Sequence, residues 1–238
     1  PRLVYCGISG FGQTGPDADK PAYDQIIQGL SGEMDVNGDE RLHPLRAGFP
    51  LCDTVGGLNA AFAILAALYH RKANGGEGQH VDVCLFDTVI ASLSHYAQIF
   101  LVNGQTPPRR GTWGNGGMPA GVFRCTDGEL MLVVGHDGQF QRTCVALGAP
   151  ELATDPRFVK NNDRVVHGKE IMAIFAGLFL KQPVANWLGE LEKAGVPSGP
   201  INDFSQVFND PHVQSRGMRV KVDHPFESEL SLIRNAIT

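Results

Sequence analysis

The sequence holds 238 residues, 42% apolar and 19% charged, with a formal net charge of −5, a composition that fits a soluble globular chain of one large or two ordinary domains. No Lys/Arg stripe marks a nucleic-acid surface, and no uninterrupted run approaches the roughly eighteen apolar residues of a membrane span. Five cysteines without a C-x-x-C pair argue against a zinc cluster and a disulfide framework, and the start lacks the basic region, apolar segment and cleavage site of a signal peptide, so a cytoplasmic protein working on small molecules is expected.

Residues 2–9 are a short apolar run ending in glycine turns, which reads as a buried strand. A buried strand with no partner before it marks the sequence as a fragment whose upstream strands and helices are missing. Gly10-Phe11-Gly12-Gln13-Thr14-Gly15 matches the dinucleotide fingerprint G-x-G-x-x-G letter for letter. That fingerprint needs a helix to start at the glycines and face a pyrophosphate, whereas here the polar, proline-bounded segment Pro16 to Pro21 follows, so the match is set aside. Tyr23 to Gly32 reads as a short helix with a glycine stop, and a polar loop runs from Glu33 to Arg46.

Pro50-Leu51-Cys52-Asp53-Thr54-Val55-Gly56-Gly57-Leu58-Asn59 then enters an apolar helix expected from Ala60 to Arg71, with Leu58, Phe62, Leu65 and Tyr69 at spacings of four, three and four. It is apolar nearly all round and is expected to be buried. Asp53 and Thr54 sit where an N-cap accepts orphan N–H groups and the helix dipole favours negative charge. Asp53 is therefore either a structural cap or a carboxylate used in chemistry. A glycine-rich turn, Lys72 to Gln79, separates the helix from a strand at His80 to Phe86, and strand, helix, strand implies an α/β layer. Asp87 to Leu101 reads as an amphipathic helix, and the Pro/Gly-rich stretch after it as a linker.

Beyond the linker, Trp113-Gly114-Asn115-Gly116-Gly117-Met118-Pro119 reads by itself as an ordinary turn before a hairpin. A D-G turn at Thr126 to Glu129 joins two apolar runs as a hairpin. Helices are expected over Asp137–Leu147, Val166–Leu180, Pro183–Ala194 and Asp203–Asn209, with Gly195 to Pro200 as a rigid loop and strands over Met218–Val222 and Leu230–Ile233. No G-x-S-x-G elbow is present, and the histidines show no metal-ligand spacing, so no metal site is expected.

Several phrases, in order, resemble the family III CoA-transferases, the group that includes formyl-CoA transferase, carnitine CoA-transferase and α-methylacyl-CoA racemase. They are Ile8 to Pro16; Tyr23-Asp24; Asp53 with Gly56-Gly57 and Ile64 to Arg71; Gly78 to Val83; Ala194 to Pro200; and Asp210-Pro211-His212 with Arg216-Gly217-Met218. The resemblance implies a Rossmann-like large α/β domain, a small α+β domain and an interlocked homodimer. Residues 1–95 would be the later part of the large domain's first half, 96–111 a linker, 112–205 the small domain and 206–238 a return segment. It implies that Asp53 attacks an acyl-CoA and carries CoA as an aspartyl thioester to a carboxylic acid, with coenzyme A as substrate and no other cofactor. The loop Gly114, Asn115, Gly116 and Gly117 would supply N–H donors to the oxyanion, and Tyr23, Asp24 and Met118 would line the substrate. Formyl-CoA transferase has glutamine where Met118 stands, which puts formyl and oxalyl substrates in doubt. The racemase branch has histidine where Tyr23 stands, and tyrosine, with an ordinary pKa of about 10, is a poor base. The transferase is the favoured reading; a racemase, and an inert fragment keeping only assembly surfaces, stay open.

Overall fold

The computed structural model describes residues 2–114 and 116–237, and divides between Thr112 and Trp113 into two units of mixed α/β structure. The first unit runs β1 (Tyr5–Ser9), α1 (Asp24–Leu30), α2 (Glu33–Val36), α3 (Leu51–Ala73), β2 (His80–Cys84), α4 (Leu85–Ser92) and α5 (Ser94–Asn103). Strands β1 and β2 pair in parallel, from Tyr5 opposite His80 to Ser9 opposite Cys84. A parallel pair needs a long crossover, and α1 to α3 provide it. No helix starts at the glycines after β1; the next one begins at Asp24. Gly10 packs so closely that a Cβ there would lie 2.2 Å from the Ala22 Cβ, which gives this glycine a packing reason instead of a phosphate-binding one.

Helix α3 corrects the sequence reading in two ways. It starts at Leu51, nine residues before the expected Ala60, because Pro50 supplies a preset φ of −72° and no N–H to satisfy, and because Gly56 and Gly57 both lie inside the helix, Gly56 as a buried contact residue and Gly57 on the exposed side. A Cβ on Gly56 would fall 2.4 Å from Leu85 Cδ2, so glycine permits α3 to approach α4. The buried face is the small-residue line Cys52, Gly56, Ala60 and Ala67. The large residues expected inside are outside in this chain: Leu58 is 65% exposed, Phe62 75%, Leu65 66% and Tyr69 75%. By length and composition α3 is also apolar enough to cross a membrane, with a mean hydropathy of 1.6 over its most apolar window. That property was hidden while the segment around the glycines read as a helix entry. In the structure α3 packs against α1, α4, β1 and β2.

The expected single helix over 87–101 is two, α4 and α5, bent by 75°. At the break the Ser92 hydroxyl donates to the Thr88 carbonyl at 2.8 Å, a back-bond that bends helices.

The second unit holds β3 (Ala120–Arg124), β4 (Glu129–Val133), α6 (Asp137–Ala146), a 3-10 turn (Pro150–Ala153), α7 (Asn161–Val166), α8 (Gly168–Phe179), α9 (Val184–Lys193), β5 (Ser198–Pro200), α10 (Phe204–Asn209), α11 (Pro211–Ser215), β6 (Arg219–His224) and β7 (Glu227–Ile233). The β3–β4 hairpin closes on Cys125 N–H donating to the Gly128 carbonyl at 2.8 Å. The Gly195–Pro200 segment, expected as loop, contributes β5 as the third antiparallel strand, Leu130 opposite Pro200 and Leu132 opposite Ser198. Strands β6 and β7 form a separate antiparallel hairpin. The core is aromatic: Phe123, Phe140, Phe158, Phe175 and Phe179 are all buried, with Phe140 and Phe175 stacked at 6.1 Å. Trp187 closes it, its indole N–H donating to the Phe179 carbonyl at 2.8 Å.

The two α3 glycines should respond oppositely to substitution. Gly57 meets nothing within 4 Å of a built Cβ, so Gly57→Ala should stabilise the fold by about 0.5–1 kcal/mol through helix propensity. Gly56→Val should cost about 1–3 kcal/mol by forcing Leu85 aside. Urea denaturation of the two variants decides it.

Candidate active site

Asp53 is the third residue of α3, in its first turn, and its side chain is exposed. It is not the N-cap. Pro50 holds that place and makes no side-chain cap; Thr54 Oγ1 donates back to the Pro50 carbonyl at 2.7 Å. Asp53 thus offers its carboxylate to solvent in the positive end of the helix dipole, and among the described residues no hydrogen bond engages that carboxylate.

The work of the cap falls to a residue on another helix. Asp24, at the start of α1 and buried, accepts the Cys52 N–H on Oδ1 at 2.8 Å and the Gln28 amide on Oδ2 at 2.6 Å. Its backbone carbonyl accepts the Cys52 thiol at 3.4 Å. Gln28, fully buried, also accepts the Ala47 N–H at 2.8 Å, which ties the loop before α3 to the same cluster. Asp24 therefore orients the α3 N-terminus one residue before Asp53. The sequence carried a signal for the cluster in the i, i+4 spacing of Asp24 and Gln28 on one helical face. Cys52 and Ala47, far off in sequence, carried none.

Burial first, and the neighbouring Asp24 charge second, push the Cys52 thiol up to about 12, so it stays protonated and unreactive at neutral pH. The Glu33 carboxyl is likewise raised, by burial and then by Asp24. Tyr23, 77% exposed, precedes α1, and its backbone carbonyl accepts the Ile26 and Ile27 N–H groups.

The glycine loop belongs to the second unit. Asn115 lies outside the described residues. Gly114 has only the Ala120 methyl near a built Cβ, at 3.3 Å, and Gly116 has nothing within 4 Å. Gly117 is the constrained position: a Cβ would sit 1.8 Å from the Val134 carbonyl oxygen, so the chain lies directly on the backbone beyond β4 and only glycine fits. Met118, expected to line the substrate, is buried in the core of the second unit. Among the described residues no three His, Cys, Asp or Glu side chains group as metal ligands. A cavity of about 250 Å³ in the first unit, walled by Ile90, Leu93, Tyr96 and Phe100, does not include Asp53, Tyr23 or Asp24.

Asp24→Ala would leave the Cys52 N–H and the Gln28 amide buried without partners, at an expected cost of about 1–3 kcal/mol; Asp24→Asn, which keeps one acceptor oxygen, should cost less in the same denaturation experiment. The Cys52 thiol gives a second expectation. Its folded-state value of about 12 exceeds the unfolded value of about 8.5. The folded state then binds more protons at high pH, and the Cys52 contribution to stability, intact below about 8.5, is lost as pH rises towards 12. Denaturation midpoints measured across that range should fall more steeply in the parent chain than in Cys52→Ser.

Residues 1–237 match CoA-transferase family III. The chain is 42% identical over 223 residues to succinate–glutarate CoA-transferase of Agrobacterium fabrum, covering 94% of this chain and 56% of that protein. It is 41% identical over 222 residues to acetyl-CoA:oxalate CoA-transferase of Acetobacter aceti, covering 93% and 57%, and 34% identical over 232 residues to human succinyl-CoA:glutarate CoA-transferase, covering 98% and 53%. A CAIB/BAIF family protein from Brucella suis of known structure superposes with a TM-score of 0.84 at 37% identity, covering 100% of this chain and 61% of that one. The chain spans little more than half the length of these curated relatives. With a family match running through both units and relatives of this similarity, the chain belongs to CoA-transferase family III.

Proposed function

We propose that this chain supplies the nucleophile of an enzyme that moves CoA from an acyl-CoA to a carboxylic acid, and that Asp53 is that nucleophile. The observation that carries the reading is the exposed Asp53 carboxylate in the first turn of a helix whose start is held by buried Asp24. A carboxylate fixed in place and not occupied by internal hydrogen bonds can form a covalent intermediate that splits one hard transfer into easier steps.

In this reading an Asp53 oxygen adds to the thioester carbonyl carbon; the C–S bond breaks, CoA leaves as thiolate, and a mixed anhydride remains. The thiolate then attacks the Asp53 carbonyl carbon and displaces the donor acid as carboxylate, which leaves an aspartyl-CoA thioester. The acceptor carboxylate repeats the two steps in reverse, taking CoA and restoring Asp53. Each addition creates an oxyanion, and the resemblance assigns its stabilisation to backbone N–H groups of the glycine loop. The relatives' names contain succinate, glutarate and oxalate, all short dicarboxylic acids, so a short dicarboxylic acid is the acceptor class proposed. The racemase alternative is not favoured, since these relatives are all named as transferases. The reading also takes in a Rossmann-like large domain, a small α+β domain and a cytoplasmic interlocked homodimer.

Incubating the whole protein with succinyl-CoA, quenching with hydroxylamine and mapping peptides by mass spectrometry should place a hydroxamate on Asp53. Asp53→Ala should show no label and no CoA transfer. Label elsewhere, or transfer that survives Asp53→Ala, overturns the assignment.

A further inference from the structure

The Gly116–Pro119 limb of the glycine loop is held by two side chains that the sequence did not single out, Asn161 and Arg164, both on the short helix α7. Asn161 reaches the limb with both ends of its amide: Oδ1 accepts the Met118 N–H at 2.9 Å, and Nδ2 donates to the Gly116 carbonyl at 3.5 Å. Its own backbone N–H donates to Asp137 Oδ1 at 2.9 Å. Arg164 is fully buried, an unusual place for a guanidinium. Its Nε donates to the Met118 carbonyl at 2.6 Å, Nη1 to the carbonyls of Phe158 at 2.7 Å and Val159 at 3.2 Å, and Nη2 to Asp137 Oδ1 at 2.9 Å. The guanidinium carbon lies 4.3 Å from the centre of the Phe140 ring.

The Asp137 carboxylate therefore joins Asn161 and Arg164 from the start of α6. The hydrogen bond from Arg164 holds the Asp137 carboxyl below the usual carboxylate range. On the remaining side Val134 N–H donates to the Pro119 carbonyl at 3.0 Å, and the Val134 carbonyl lies where a Gly117 Cβ would be. A buried cation costs several kcal/mol to desolvate unless it is fully paired. Packing alone would have been served by an apolar residue at 164. What the guanidinium adds is direction, several carbonyls held at fixed angles by one planar group.

We propose that Asn161 and Arg164 are positioning residues for CoA transfer: they fix the Gly116–Pro119 limb so that the loop's backbone donors are aimed before substrate arrives. This rests on the proposed function for the role of the loop, and not for the clamp itself. Donors aimed in advance stabilise a developing oxyanion without reorganising during the reaction, and a displacement of about 1 Å away from the chemistry can cost about a hundredfold in rate.

The test uses the whole protein with Asn161→Ala and Asn161→Asp, the second keeping an acceptor for the Met118 N–H and losing the donor to Gly116. Amide hydrogen exchange read by mass spectrometry should rise about tenfold or more over residues 116–119 in Asn161→Ala, which loses both side-chain hydrogen bonds to the limb, with β3, β4 and α8 unchanged. In the succinyl-CoA to glutarate assay its kcat should fall about ten- to a hundredfold with KM within about twofold, and Asn161→Asp should recover part of both. Faster exchange with unchanged kcat, or a loss seen only in KM, overturns the positioning role; unchanged exchange overturns the clamp. If Asn161→Ala does not fold, Asn161→Asp decides on the same two readouts. Absence of Asp53 label in the parent protein defeats the proposed function and the catalytic half of this proposal with it, while the exchange result still decides the clamp.

Discussion

The pairing of the buried Asp24 carboxylate with the Cys52 N–H constrains most of what is distinctive in the first unit. A helix leaves its first N–H groups without partners, and this one begins at a proline that offers no side chain to satisfy them. Supplying the acceptor from α1 does two things together. It removes the penalty of a buried orphan donor, and it links the crossover helices α1 and α3 at one point, where Gln28 and the loop at Ala47 also converge. Because the acceptor comes from elsewhere, Asp53 is relieved of capping. An aspartate at a helix start is ordinarily consumed by the local backbone; here the job is done, and its carboxylate faces outward.

The second unit solves a similar problem with opposite charge. Its buried ion is the Arg164 guanidinium, surrounded by carbonyl oxygens and one carboxylate, and it sits beside a large aromatic core instead of a thin one. In the first unit the fully or nearly fully buried apolar side chains around α1, α3 and α4 are few, Ile27, Cys52 and Val89 at the centre. Polar convergence carries more of the specification there, and apolar packing carries more of it beyond Trp113.

Much of this could be read from the chain. The alternation at His80 to Cys84, the D-G hairpin at residues 126–129, and the helices over α6, α8, α9 and α10 follow local rules of period and punctuation, and they appear within a few residues of expectation. The rejected dinucleotide match rested on what came after the glycines, and no helix starts there. What escaped was non-local. Gly56 and Gly57 look like breakers in a window, yet both lie within α3 and Gly56 is a buried residue of a packed layer, since close approach to Leu85 cannot be seen from one strand of text. The same blindness assigned the large residues of α3 to the inside, because periodicity weighs size while α3 and α4 meet on small residues. Asp24 was legible as a residue of interest next to Tyr23, but its acceptor role depends on a partner 28 positions away. Asn161 and Arg164 gave no local sign at all, being ordinary polar residues in a short helix.

The small-residue line along α3 has a consequence for how the protein can vary. Cys52, Gly56, Ala60 and Ala67 set the depth of the helix against its neighbours and also its rotation about its own axis, and Asp53 follows Cys52 by one residue, about 100° of turn. Enlarging any member of the line must lift or roll the helix and swing that carboxylate with it. Substitutions that would be mild in an ordinary core, one methyl group more or less, become here changes of aim, so this seam should drift more slowly than the exposed large residues on the opposite side of the same helix.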